Sequence, residues 1–156
     1  MYRNILVPYD GSEPSNKALA AAIDLASDPE PVTITVLEVA KTGDVDKTSF
    51  DIAMRMAGLE EDRDRIDLLR DEYLAAYKDQ MREKVSQFFE GLPKNIDIKI
   101  VVKRGDPRDV ICDYAKENDV DFIIMGRRGI SGIRATLGSV STAVLRNTDL
   151  PVMVVK

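Results

Sequence analysis

Short apolar runs rich in β-branched residues alternate with segments whose apolar residues recur every three or four positions, and this rhythm dictates βαβ units around a parallel sheet. The runs are Ile5-Leu6-Val7-Pro8, Val32 to Val39, Ile96 to Val102, Val120 to Met125 and Pro151 to Val155. After the first run, Ser12 is placed to cap a helix, Pro14 suits its first turn, and Ala18, Leu19, Ala22, Ile23 and Ala26 share one face. Ile66, Leu69, Tyr73, Tyr77, Met81, Val85, Phe88 and Leu92 predict one long amphipathic helix from about Glu60 to a stop at Gly91 and Pro93. Its tyrosines are read as core-facing, and Glu60-Glu61-Asp62 as charges that favour the helix start. The turn Gly105-Asp106-Pro107 opens a short helix carrying Val110, Ile111, Tyr114 and Ala115, in which Cys112 is read as packing; a last helix runs from about Gly138 to Asn147. Lys41 to Leu59 is long for a βα connection and reads either as a short helix around Phe50 to Met56 or as a flap.

Two strands carry information about the sheet's borders. Ile96, Ile98, Ile100 and Val102 alternate with Asp97, Lys99, Val101 and Lys103, the pattern of a strand with one wetter face, hence an edge. Val152-Met153-Val154-Val155 is apolar on both faces although it is the final element of the sequence. An exposed apolar edge invites pairing with a second chain. Either a homodimer joined through this strand or shielding by the long helix resolves the conflict.

Composition removes several function classes. The 156 residues suit one domain, which at this length hides roughly 70% of its unfolded surface. There is no histidine, so the commonest general base and the commonest metal ligand are both missing. A single cysteine forms neither an internal disulfide nor a thiolate metal cage. The net charge of −5 argues against a general grip on nucleic acid. The start MYRNILVPYDGS lacks a signal-peptide pattern, and no apolar run approaches a membrane span, so a cytoplasmic address without membrane contact is expected.

The chemistry concentrates in two loops that follow central strands, Pro8-Tyr9-Asp10-Gly11-Ser12 and Gly126 to Ser141. In an open α/β sheet, ligands bind beyond the carboxyl ends of strands where the strand order reverses; if these strands are neighbours there, both loops face one crevice. Glycines at 126, 129 and 132 let the backbone approach a ligand. The helix start at Gly138-Ser139-Val140-Ser141 offers unpaired N–H groups, Ser139 and Ser141 add hydroxyls, and Arg127 and Arg128 add positive charge. All of this suits a phosphate. The plain alternatives are a turn capped by Ser139, solvated arginines and a turn-forming Asp10. Neither GxxxxGK[ST] nor GxGxxG after the first strand occurs, which argues against a P-loop or a dinucleotide site.

Taken in order, the motifs resemble one family. Asn4-Ile5-Leu6-Val7-Pro8-Tyr9-Asp10-Gly11-Ser12, Leu37-Glu38-Val39, Gly105-Asp106-Pro107, Asp121-Phe122-Ile123-Ile124-Met125-Gly126-Arg127-Arg128-Gly129, Leu137-Gly138-Ser139-Val140-Ser141 and Pro151-Val152-Met153-Val154-Val155 resemble the universal stress protein family along essentially the whole chain. The resemblance implies a Rossmann-like open five-stranded parallel sheet in order 3-2-1-4-5, with helices on both faces and dimerisation through the last strand. It implies that Pro8, Tyr9, Asp10 and Val39 line an adenine and ribose pocket, and that Met125, Gly126, Gly129, Gly138, Ser139, Val140 and Ser141 hold ribose and phosphates. The family's ATP-binding branch reads G-2x-G-9x-G-[S/T]; here Ile130 to Leu137 supplies eight intervening residues. One residue less shifts amides by about 1.5–3.5 Å. An adenine nucleotide is therefore expected, ATP first, with AMP, ADP or a cyclic nucleotide as alternatives and Mg2+ accompanying the phosphates. The functional expectation is a stress-response or regulatory dimer with a protein partner. Its rivals are a slow ATP hydrolase, which would lack a good base, and an interaction module with an empty pocket.

Overall fold

Val7 cannot face the same way as Leu6, and the architecture follows from that alternation. β1 (Asn4–Pro8) sends Ile5 and Val7 to one face of the sheet and Leu6 to the other. All three are buried, so both faces must be covered. The computed structural model describes residues 2–26, 29–40, 56–58, 63–127 and 137–156. In chain order the described elements are β1, α1 (Glu13–Leu25), β2 (Val32–Ala40), α2 (Arg63–Val85), β3 (Ile96–Arg104), α3 (Pro107–Glu117), β4 (Phe122–Gly126), α4 (Ser139–Asn147) and β5 (Val152–Val155). The expected flap falls almost wholly outside the described residues.

The strands form one five-stranded sheet, order β3-β2-β1-β4-β5, with every neighbouring pair parallel. β1 pairs with β2 from Asn4↔Thr33 to Pro8↔Leu37, and with β4 through Ile5↔Phe122 and Leu6↔Ile123. One face carries α1 and α2 over Ile5, Val7, Ile34, Val36 and Ile124, with Leu19, Met81 and Val85 closing the layer. The other face carries α3 and α4 over Leu6, Leu37 and Ile123, closed by Ile111, Cys112 and Val144. Each fully buried aliphatic side chain contributes about 1.5–3 kcal/mol, so the two layers supply the main driving force.

Both border expectations are met. β3 is an edge, with Asp97 and Lys99 exposed and Ile100 buried, and β5 is the opposite edge. The long helix packs against β3 rather than β5, so it does not shield the last strand. It also ends earlier than the periodicity implies. Phe88 and Phe89 both rest on the same core layer as the residues of α1. After Val85 the backbone tightens into a 3₁₀ turn, Ser86–Phe88.

β4 begins at Phe122, two residues later than the apolar run suggests. Val120 is buried, but its N–H returns to the Ala115 carbonyl at 3.2 Å. Asp121 instead ties β4 to the start of β1. Its carboxylate accepts from the Arg3 amide at 2.7 Å and the Asn4 amide at 3.1 Å, while its own N–H donates to the Asn4 carbonyl at 3.0 Å.

Replacing Asp121 with Ala removes two charge-assisted hydrogen bonds at the central pair of strands. The expected cost is about 1–3 kcal/mol, or roughly 2–4 °C of Tm per kcal/mol at this size. Asp121→Asn should recover only part, since its NH2 group replaces one of the two accepting oxygens and faces an amide with a donor. Thermal unfolding checks both; unchanged melting of Asp121→Ala would contradict the assignment.

Candidate functional site

The chain runs outward from β1 through β2 to β3, then returns to add β4 and β5 on the other side. The order therefore reverses between β1 and β4, and the loops leaving their carboxyl ends flank one crevice.

The β1 loop is built by its own short side chains. Asp10 Oδ1 accepts from the Ser12 amide at 3.1 Å and from Ser12 Oγ at 2.5 Å, and Gly11 takes φ +77°. Ser12 then caps α1 by accepting from the Ser15 amide at 3.3 Å, with Pro14 in the first turn. Asp10 is thus a turn former, and it stays half-buried at the mouth of the crevice. Pro8 is half-buried beside it. Tyr9 is different. Its amide extends the β1–β2 ladder to the Leu37 carbonyl at 2.8 Å, its ring joins the α1–α2 core, and its hydroxyl donates to Asn16 Oδ1 at 2.6 Å. Its ring therefore packs in the core layer. Burial, then the carboxyl groups of Glu38 and Asp10, push the Tyr9 phenol above its ordinary pKa.

Val39, Met125 and Val140, from three separate elements, all belong to the apolar layer beneath α3 and α4. Gly126 ends β4 where the start of α1 crosses it. A Cβ at 126 would lie 2.7 Å from both the main-chain carbon and the Cβ of Pro14. Close packing of helix on strand thus requires glycine there, independently of any ligand.

The two ends of the glycine-rich loop are fastened to each other. The Arg127 carbonyl accepts from the Gly138 amide at 2.9 Å and from Ser141 Oγ at 2.9 Å, while the Arg127 amide donates to the Val155 carbonyl at 2.8 Å. Ser141 is buried, and its hydroxyl also lies 3.1 Å from the Gly138 carbonyl, so its proton is committed within the protein. It fastens the two ends of the loop. Ser139 is exposed and does not cap the helix; Gly138 holds the N-cap position and supplies no side-chain hydrogen bond. The first amides of an α-helix have no partner within it. At α4 the amides of Ser139 and Val140 stand in that first turn, at the positive end of the helix. Arg128 and Gly129 fall outside the described residues, as does the shortened stretch 130–136.

Glu38 was not singled out by sequence reasoning as a functional residue. It is 6% exposed, accepts from the Tyr77 hydroxyl at 2.7 Å, and is raised above its ordinary carboxyl pKa chiefly by burial. The signal was available. Val32, Ile34 and Val36 point inward at period two, and Glu38 is the next residue of that series. Among the described residues no group of three or more His, Cys, Asp or Glu side chains could hold a metal ion.

The chain was also compared with known proteins. The sequence profile of the Universal stress protein family matches residues 1–156. The universal stress protein YxiE of Bacillus subtilis is 30% identical over 157 residues, covering 100% of both chains. Among solved structures, the universal stress protein UspA from Lactobacillus plantarum superposes with a TM-score of 0.73 at 27% identity, covering 99% of this chain and 98% of its own. Two more distant structures share the fold. One is a universal stress protein in complex with cAMP, with a TM-score of 0.58 at 22% identity, covering 99% and 96%. The other is an Arabidopsis thaliana family protein with AMP bound, with a TM-score of 0.56 at 18% identity, covering 99% and 91%.

The Gly126 contact yields a direct prediction. Gly126→Ala forces α1 away from β4 and is expected to cost about 1–3 kcal/mol by overpacking, with a matching fall in Tm. The loss should appear in ligand-free protein; a stability equal to wild type would show that the crossing is looser than described.

Proposed function

The chain belongs to the universal stress protein family, and from that premise we propose that it binds an adenine nucleotide, ATP first, between the β1 and β4 loops. One observation carries the reading: the start of α4, with no side-chain cap, at the point where strand order reverses. An anion at such a helix end gains about 0.3–1 kcal/mol from the dipole, in addition to direct amide hydrogen bonds. In this reading the amides of Ser139 and Val140 take phosphate oxygens, with Gly126, Arg127, Arg128, Gly129, Gly138 and Ser141 shaping the same loop. Val39, Met125 and Pro8 provide apolar surface for the base, and the carboxylate of Asp10 has lone pairs for ribose hydroxyls beyond those that serve Ser12. Tyr9 contributes through its main chain. The cAMP and AMP carried by two neighbours in fold support an adenine ligand. ADP, AMP or a cyclic nucleotide replaces ATP if the shortened loop withdraws outer-phosphate contacts. Mg2+, where present, is carried in by the phosphates.

Function follows from occupancy rather than turnover. The chain has no histidine, and Asp10, already engaged with Ser12, is a poor base for water. We read it as a regulatory, stress-response protein whose bound and free states differ in affinity for a protein partner. A slow ATP hydrolase is the competing reading. The unit is a homodimer through Val152–Val155, because β5 is an edge strand with Met153 39% exposed, and an apolar edge favours pairing.

Two experiments test this reading. Calorimetric titration with ATP, ADP, AMP and cAMP should show at least one Kd in the micromolar range, about −8 kcal/mol, weakened tenfold or more by Gly129→Arg. Absence of heat from all four at millimolar concentration would leave only an interaction module with an empty pocket, and phosphate release abolished by Gly129→Arg would favour the hydrolase. Separately, sedimentation should report a dimer that Met153→Lys converts to monomer; a monomeric wild type would refute the edge pairing.

A further inference from the structure

Glu38 is the one buried side chain among the described residues with an oxygen that finds no hydrogen-bond partner. Its Oε1 accepts from Tyr77, but Oε2 is fully enclosed and has none. A carboxylate in this position would keep its charge away from water with one donor to steady it, which is strongly unfavourable. A proton on Oε2 removes the charge and leaves only an unpaired hydroxyl. The described groups that act on Glu38 come from two sides. From the β1 loop, Asp10 disfavours ionisation, and the Tyr9 phenol is a neutral neighbour; from α2, Tyr77 and Lys84 favour it. No ion pair links Lys84 to Glu38 among the described residues. Across the strand pair, β3 presents Val102, which carries no charge.

The position matters because of what Tyr77 belongs to. Among its described side chains, α2 buries Met81 and Val85 near its C-terminal end, while Leu68 toward the other end is 58% exposed. Tyr77 lies one turn before Met81, and its hydroxyl is a polar tie from this part of the helix to the sheet. We propose that Glu38 is held as a neutral carboxylic acid in the folded chain, and that loss of its proton releases α2 from the sheet, making this helix a pH-sensitive element.

The direction of the effect follows from linkage. The folded chain binds this proton more tightly than the unfolded chain does, because burial raises the group above its ordinary 4.5. The resulting stability is complete below 4.5 and fades as pH rises through the higher folded value. Ionisation strengthens the Tyr77 hydrogen bond to Oε1 but leaves Oε2 charged without a donor, and that cost is relieved only by admitting water, for which the turn beside Tyr77 must open. Such local opening samples a small part of the molecule without global unfolding.

The device does not depend on nucleotide binding, and its test uses ligand-free, full-length chain. Side-chain carboxyl NMR of glutamate-labelled protein is expected to show one resonance that disappears in Glu38→Gln and titrates above 4.5. Amide exchange of α2 around Met81, taken as the ratio to intrinsic rates, is expected to accelerate by up to about tenfold per pH unit across that titration, and to stay flat in Glu38→Gln. A Glu38 resonance titrating at or below 4.5, or the same exchange slope in the Gln variant, overturns the proposal. Should Glu38→Gln fail to fold, Tyr77→Phe serves instead. It keeps the carboxyl but removes the donor that favours its charge, so the Glu38 resonance must titrate higher than in wild type. An unmoved midpoint refutes the coupling.

Discussion

β1 is hydrogen-bonded on both sides, to β2 and to β4, and this double pairing organises the molecule. A five-residue strand with Ile5, Leu6 and Val7 all buried can occupy only the middle of a two-faced sheet. Once it does, helices must cover both faces. The return of the chain to β1's free side for β4 creates the reversal at which the two loops meet. Asp121 secures that return at the opposite end, where its carboxylate holds the first amides of β1. The crevice is thus a consequence of topology, and loop side chains refine it.

Around the crevice, several loop residues are committed to packing and loop closure. Gly126 is small because Pro14 crosses it, Ser141 spends its proton on loop closure, and Tyr9 gives its ring to the core. Those commitments hold the main chain in place, and the open α4 amides inherit a fixed position from them. A preorganised set of amides loses little entropy on meeting an anion.

Glu38 departs from the otherwise consistent apolar lining of the first core layer. Every other inward position of β2 is aliphatic, and an aliphatic residue at 38 would pack without an orphaned oxygen. A carboxyl group with a tyrosine hydroxyl across the layer makes the hold on α2 conditional on a proton, which no aliphatic contact could do.

Much of this was legible in the residue order because it depends on local periodicity and on chemistry within a few positions. The alternation of Asp97 and Lys99 with Ile98 and Ile100 marked β3 as an edge, the Ser12 cap and Pro14 marked the start of α1, and the glycine-rich turn with Ser139 marked the second loop. These signals need no distant partner. The strand order was implied by the family resemblance, and the edge pattern of β3 agrees with it. Tertiary structure decided the rest, because it turns on contacts between segments far apart in the chain. The α-helix gives way to a 3₁₀ turn at Ser86 although the apolar spacing continues, and Ser141 becomes a fastener only because Arg127 is folded against it. Glu38 acquires its unusual chemistry only when α2 is laid over β2 and excludes water from its carboxyl group.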